Sequence, residues 1–359
     1  MTQPQLPPPW FGEHILKWYD LYGRKSLPWK NPKSAYSIWL SEIMLQQTQV
    51  ATVIPYFKKF IATFPTIESL AQAPLDHVIA LWAGLGYYAR ARNLHKTAHI
   101  LVEHYNATLP ADIDALKALP GIGKSTAAAI LAQSYDIRAP ILDANVKRVL
   151  CRFYSLVGWP GLKSVEENLW KVSELTTPLV RANDYTQGIM DLGALVCKSK
   201  RPLCEQCPVS LHCMSFNQKT IEHYPESKPT KNKPSKHTEF LMVFNQENKI
   251  LLHKRPAKGI WGGLWCLPEL FNLEALDLQF RIISKKNRRR HTFTHYHLNY
   301  DTILARCTVA PLQIMQNQYE WYTLSSTKQL GLPAPHKILI TELITQLERE
   351  THVPYSVLS

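Results

Sequence analysis

Apolar positions recur at helical spacing through most of the N-terminal half. The stretches 37–64, 74–85, 89–105, 112–119 and 124–135 each carry a stripe with a period near 3.6, and Pro or Gly marks the short joins between them. That pattern predicts an all-helical region. It stops at Glu222–Lys236 (EHYPESKPTKNKPSK), which is rich in Lys and Pro, has little to bury and reads as an extended, solvated linker. Beyond it the period shortens to two. Residues 239–255 read as two strands about the turn Gln246–Asn248, residues 291–310 alternate like further strands, and a helix is expected at His336–Glu350. The expected layout is an all-α region over 1–221, the linker over 222–236 and an α+β domain over 237–359, with no internal repeat.

A chain of 359 residues exceeds what one core commonly supports, which agrees with two domains. Its 41 Lys and Arg against 28 Asp and Glu give a formal charge of +13. That balance suits a polyanion, nucleic acid first, although a merely basic surface gives the same sum. No apolar run approaches the roughly 18 residues of a membrane span. The start MTQPQLPPPW lacks the charged and apolar segments of a secretory signal, so a soluble, cytoplasmic protein with reduced thiols is expected.

Four cysteines, Cys197, Cys204, Cys207 and Cys213, follow the spacing C-x6-C-x2-C-x5-C. A short loop with four thiolates can close on a [4Fe–4S] cluster or on a tetrathiolate zinc, and disulfides are a third reading that a reducing compartment opposes. Cys151, Cys266 and Cys307 fit no ligand spacing and read as buried structural thiols.

A second motif is Leu119–Ala127, LPGIGKSTA. Gly121 and Gly123 between two helices let backbone amides approach an anion, with the dipole of the helix from Lys124 and Ser125 behind them, as in a helix-hairpin-helix on a DNA phosphate. A nucleotide-binding P-loop would need Gly where Ala118 stands and a strand before it, and an ordinary helix connection is the plainer alternative. Asp143 lies between an extended apolar entry and the helical run from Ala144. It is a natural N-cap, or an acid facing a pocket and kept ionised by the helix N-terminus.

In this order the hairpin, the aspartate and the cysteine loop resemble the iron–sulfur branch of the helix-hairpin-helix DNA glycosylases. Within that branch 40–50 (LSEIMLQQTQV), 84–90 (GLGYYAR) and 141–148 (ILDANVKR) resemble the MutY-type adenine DNA glycosylases, from about Ile15 to the end of the chain. The resemblance implies an all-α helix-hairpin-helix glycosylase region with a [4Fe–4S] loop, followed by an α+β Nudix-like domain. It also implies excision of adenine opposite 8-oxoguanine or guanine in double-stranded DNA, by a monomer.

The family's roles carry over residue by residue. Glu42, one turn from Ile38 and Leu45, is the general acid and is expected to be partly desolvated with a raised pKa. Asp143, as carboxylate, would stabilise the oxocarbenium ion or trap it covalently, and Asn145 would orient groups in the pocket. The lyase members carry Lys where Ser125 stands, so a monofunctional enzyme is expected, with Lys25 available for adventitious Schiff bases. That difference opposes a bifunctional pyrimidine glycosylase; a non-enzymatic, cluster-containing DNA sensor is the rival of another class. Gln46, Gln47 and Thr48 are the wedge candidates, and Tyr87 and Tyr88 the inserting aromatics, with helix packing as the plainer role of Tyr88. Arg24, Leu27, Pro28 and Trp29 resemble the segment lining the adenine pocket. Arg90, Arg92, Lys124, Lys147, Lys198, Lys200 and Arg201 are candidate phosphate contacts.

Gly263–Glu269 starts like a Nudix box, but the metal-binding acidic cluster is missing from 271–282. Phe293, Thr294 and His295 match the lesion-sensing loop, with Thr where Ser is usual. Arg288, Arg289 and Arg290 either approach DNA or sit in a solvated loop, and His291, His295 and His297 would share one face of a regular strand.

Overall fold

The structure is a computed structural model that describes residues 10–229, 232–256, 258–271, 279–293, 295–308 and 318–351. Its contacts divide the chain into two units: Met1–Gln72 with Asn93–Thr230, and Ala73–Arg92 with Lys231–Ser359. The second unit thus takes in a segment of the helical half that lies far from it in sequence.

The first unit contains α1 (Trp10–Tyr22), α2 (Ala35–Leu45), α3 (Val50–Thr63) and α4 (Ile67–Gln72). The second unit receives α5 (Leu75–Trp82), and α6 (Ala89–His104) runs from one unit into the other. In the first unit follow α7 (Ile113–Ala118), α8 (Lys124–Tyr135), α9 (Ala144–Phe153), α10 (Lys163–Thr176), α11 (Ala182–Asp191) and α12 (Met214–Asn217). A π-helical turn, Leu192–Val196, extends α11 to the edge of the cysteine loop. The core of this unit packs Phe11 and Ile15 of α1 against Val146 and Leu150 of α9, Leu169 of α10 and Ile189 of α11.

The continuous helical stripe over 37–64 is divided in the fold. A capping box of Ser34 and Ser37 starts α2, and Gln47, with φ of 57°, lies in the left-handed region between α2 and α3. A non-glycine residue there cannot continue a right-handed helix. Tertiary bonds hold the break: Gln46 Nε2 donates to Gly121 O at 3.2 Å and to Thr126 Oγ1 at 3.3 Å.

In the second unit β1 (Ser235–Phe244), β2 (Ile250–Lys254), β3 (Trp265–Cys266), β4 (Phe280–Thr292), β5 (His297–Cys307) and β6 (Tyr319–Tyr322) form one sheet, followed by α13 (Ala334–Thr351). The order is β3-β2-β1-β5-β4, with β6 also pairing β2; β1 runs parallel to β5 and the other pairs are antiparallel. One face buries Phe240, Met242, Leu252 and Tyr300 against Leu339 and Leu343 of α13; Leu241, Val243, Leu251 and Ile303 form a core on the other.

Three local expectations change here. Arg288–Arg290 belong to β4 and not to a loop, and Arg289 forms a bidentate pair with Glu342 of α13 at 2.9 and 2.8 Å. His291 is the penultimate residue of β4 and His297 the first of β5, paired across a hairpin with Leu298 and Thr292 respectively, so the three histidines do not share one strand face. The linker is not wholly solvated, because Tyr224 O accepts from Arg152 Nε at 2.8 Å and Glu226 Oε1 from Gly158 N at 2.8 Å. Among the described residues no helix is long and apolar enough to cross a membrane.

Candidate active site and cysteine loop

Glu42 projects from α2, whose other side chains around it, Ile38, Ile43 and Met44, are buried. Gln133 of α8 donates to its Oε1 at 2.8 Å. Burial nevertheless pushes the carboxyl from 4.5 to about 7; Asp143 pushes the same way, while the Gln133 bond and the Lys30 charge oppose. A carboxyl at that value exchanges a proton near neutrality, as a general acid must.

Asp143 caps α9, accepting from Val146 N at 2.7 Å. Asn145 Nδ2 also donates to it, at 3.1 Å. The capping position favours the ionised form, but burial outweighs the hydrogen bonds and the Arg148 charge, and the pKa of Asp143 lies above its ordinary value. Behind it a chain of contacts leads to the cysteine loop. Asn145 Oδ1 accepts from Arg148 Nη2 at 2.9 Å; that guanidinium also donates to Gly193 O at 2.5 Å and, through Nε, to Cys197 O at 2.7 Å. Gly193 has to be glycine, because a Cβ there would stand 2.7 Å from Asn145 Cβ.

Arg152, one turn further along α9, is buried and donates to Lys198 O at 2.6 Å, to Ser199 O at 3.1 Å and, through Nη1, to Cys197 Sγ at 3.4 Å. The four thiols of Cys197, Cys204, Cys207 and Cys213 line one cavity with Val149, Val196 and Phe216. Burial raises Cys207 to about 12 and raises Cys204 and Cys213 as well. No three His, Cys, Asp or Glu side chains among the described residues stand close enough to hold a single metal ion. Cys151, Cys266 and Cys307 are free and buried.

The glycine hairpin lies beside Glu42's helix. Gly121 has φ of +81°, and a Cβ on it would stand 2.9 Å from Asn93 Cβ. Gly123 caps α8 with nothing within 4 Å of a Cβ position, so its backbone is open to approach. Ser125 Oγ accepts from Leu142 N at 3.3 Å, tying the hairpin to the strand-like entry before Asp143. Thr48 Oγ1 bonds Gln46 O at 3.4 Å.

The segment from Arg24 is held by a residue that sequence reasoning missed. Asp191, fully buried at the end of α11, accepts from Arg24 N at 2.7 Å, Arg24 Nε at 3.0 Å, Arg24 Nη2 at 2.7 Å and Gln187 Nε2 at 2.7 Å. Such multidentate pairing offsets the cost of burying a carboxylate. Leu27 and Trp29 are buried, Trp29 edge-on to Phe57 at 5.5 Å. Lys30, also missed, donates to Tyr19 OH at 3.0 Å, and burial lowers its amine to about 8. The signals for Asp191 and Gln133 were lone polar residues inside the apolar runs IMDLGALV and AAAILAQS.

Within the second unit Tyr87 is half exposed at φ of 51°, whereas Tyr88 packs against the cluster of Ile79, Leu264 and Cys266 and its hydroxyl donates to Leu332 O at 3.3 Å. Arg90 and Arg92 are not free phosphate ligands in this structure. Arg90 is buried under Trp82 and Tyr87 and donates to Leu85 O and Gly86 O at 3.1 Å, and Arg92 donates to Gly262 O. Lys198, Lys200 and Arg201 stand exposed. Phe293 packs on Trp261 at 5.2 Å and Tyr296 at 4.8 Å, with His295 exposed beside it; Thr294 lies outside the described residues.

Two family descriptions match the chain: HhH-GPD superfamily base excision DNA repair protein over residues 40–174, and NUDIX domain over residues 239–342. An adenine DNA glycosylase of Buchnera aphidicola is 42% identical over an alignment of 341 residues that covers 92% of this chain and 97% of its own. Among solved structures, a thermostable thymine-DNA glycosylase is 27% identical with a TM-score of 0.53, over 58% of this chain and 95% of its own. An endonuclease III in complex with DNA shares the fold at 22% identity and a TM-score of 0.51, over 61% of this chain and 98% of its own. A 42% identical relative matched along nearly its whole length, together with the HhH-GPD and NUDIX matches of this chain, settles the assignment: the chain belongs to the adenine DNA glycosylases, enzymes of base excision DNA repair.

Proposed function

We propose that the substrate is duplex DNA in which adenine stands opposite 8-oxoguanine or guanine, and that the adenine is flipped out of the stack before it is cleaved. The observation that carries this reading is the pair of carboxyls: Glu42, raised to about 7 by burial, with Asp143 close enough to raise it further. Glu42 gives its proton to N7 of the adenine, and the C1′–N9 bond breaks with its electron pair leaving on the base. Asp143, as carboxylate, faces the cationic sugar. Water then adds its oxygen to C1′ and returns a proton to Glu42, leaving an abasic site. Asn145 holds the Asp143 carboxylate through its 3.1 Å bond, and Arg148 holds Asn145.

Ser125, in place of a lysine, supports hydrolysis without strand cleavage. Gln46, Gln47, Thr48, Tyr87 and Tyr88 serve the wedge, Arg24, Leu27 and Trp29 the adenine pocket, and Phe293, Thr294 and His295 the lesion. Gly121, Gly123, Lys124 and Ser125 meet a phosphate of the DNA backbone.

Cys197, Cys204, Cys207 and Cys213 would hold a [4Fe–4S] cluster. Four thiols lining one cavity, with Arg152 Nη1 donating to Cys197 Sγ at 3.4 Å, suit that group. When bound, the cluster cross-links the loop that carries Lys198, Lys200 and Arg201. A cytoplasmic monomer, with domains at 1–221 and 237–359, completes the proposal.

Single-turnover incubation with end-labelled duplexes carrying adenine opposite 8-oxoguanine, guanine, cytosine or thymine, gelled with and without alkali, tests it. Alkali-dependent cleavage opposite 8-oxoguanine and guanine is expected. Breaks without alkali would contradict the monofunctional assignment, and equal cleavage opposite all four bases would contradict the mispair specificity.

A further inference from the structure

One face of α10 meets two lysines from two other helices. Lys124 Nζ, at the first residue of α8, lies 3.9 Å from the ring centroid of Trp170. Lys147 Nζ, in the first turn of α9, bonds Glu166 Oε1 at 2.6 Å. Glu166 and Trp170 are four residues apart on α10 and therefore share one face, one turn from each other. The helix is anchored behind them by Leu169 and Val172 in the core and by Ser173 Oγ, which donates to Ile141 O at 2.7 Å. α10 is thus fixed to the segment that delivers Asp143.

We propose that Trp170 and Glu166 are positioning residues for the DNA interface, fixing the ammonium groups of Lys124 and Lys147 at the N-termini of α8 and α9 before DNA arrives. This rests on the reading that these helix ends meet the phosphate backbone. The two seats differ in kind. An aromatic face attracts a cation without an acceptor oxygen that neutralises it, so Lys124 keeps its charge and the N–H donors on the side away from the ring for a phosphate, while losing its rotational freedom beforehand. The Glu166 carboxylate takes one of the Lys147 donors and offsets its charge, so a phosphate at Lys147 competes with Glu166. Trp170 therefore assists binding and Glu166 competes with it.

Opposite signs make the inference testable on the full-length, cluster-loaded protein. The probe is a fluorescent duplex carrying tetrahydrofuran opposite 8-oxoguanine, which cannot be cleaved, titrated over a range of salt. Trp170→Ala should weaken binding about three- to tenfold, the effect of freeing one long side chain, with the salt slope unchanged because the charge is retained. Trp170→Phe should restore most of it. In a Lys124→Ala background, which itself lowers the salt slope by about one, Trp170→Ala should have no further effect. Glu166→Gln should tighten binding at low salt and steepen the slope. If Trp170→Ala costs the same with and without Lys124, or if both variants weaken binding alike, the residues merely hold α10 in place and the proposal fails. If the unsubstituted protein does not bind this duplex, the DNA reading itself fails.

Discussion

Gln133 Nε2 stands 2.8 Å from Glu42 Oε1 and donates to it, so the residue that faces the candidate general acid stabilises the wrong protonation state for donating a proton. Burial wins the contest, and the carboxyl still reaches about 7. Replacing Gln133 by Leu removes the donor and deepens the desolvation. The alkaline limb of the single-turnover rate should then move to higher pH. An unmoved limb would mean that another group sets it.

In the unsubstituted enzyme the rate should fall above about pH 7, approaching tenfold per pH unit, as Glu42 loses its proton. Asp143 has to be ionised in the same step, and burial raises its pKa as well, so the acid limb should lie above the ordinary 3.8. Because the two carboxyls interact, the limbs belong to the pair. A rate flat from about pH 6 to about pH 9 would refute the assignment of Glu42 as acid.

Function and stability pull apart at Glu42. Its folded pKa lies above 4.5, so the folded chain keeps a proton that the unfolded chain releases. Stability therefore falls as pH rises from 4.5 to about 7 and stays lower above it, by about 3 kcal/mol at most. Glu42→Gln should be inactive yet more stable than the parent at about pH 8, with the difference vanishing near pH 4. Urea unfolding at both pH values would show it.

Arg148 and Arg152 divide the work of joining α9 to the cysteine loop. Arg148→Gln releases Asn145 and should lower the rate ten- to a hundredfold, the usual scale for a supporting contact, with iron content near the parent's. Arg152→Gln removes the guanidinium beside Cys197 Sγ and two loop carbonyl bonds, so iron per chain should drop. Equal iron in all three proteins would overturn the second expectation, and a parental rate in Arg148→Gln the first.

Gly121→Ala should cost more than Gly123→Ala. At Gly121 the backbone is left-handed and the new methyl meets Asn93; at Gly123 neither holds. The first should lose at least about 1 kcal/mol of stability and weaken DNA binding, the second much less in stability. Thermal unfolding with binding to the same duplexes would separate them.

The helical half, the strands and the C-terminal helix could be read in the chain because their signals are local: apolar spacing, Pro and Gly punctuation, and the hairpin LPGIGKSTA. The cysteine spacing is likewise written in one short segment. What local pattern could not carry was set by partners distant in sequence. The break at Gln47 follows from bonds to the hairpin 75 residues away, and Arg24 is held by Asp191 from 167 residues away. Arg90 carries the same charge as any exposed arginine, and only its packing under Trp82 and Tyr87 turned it from a phosphate ligand into a brace for its own loop. Asp143 makes the point for chemistry. Its capping position was legible, and alone favoured ionisation; the direction of its pKa depended on how much water the surrounding helices removed, a quantity that exists only once the chain has folded.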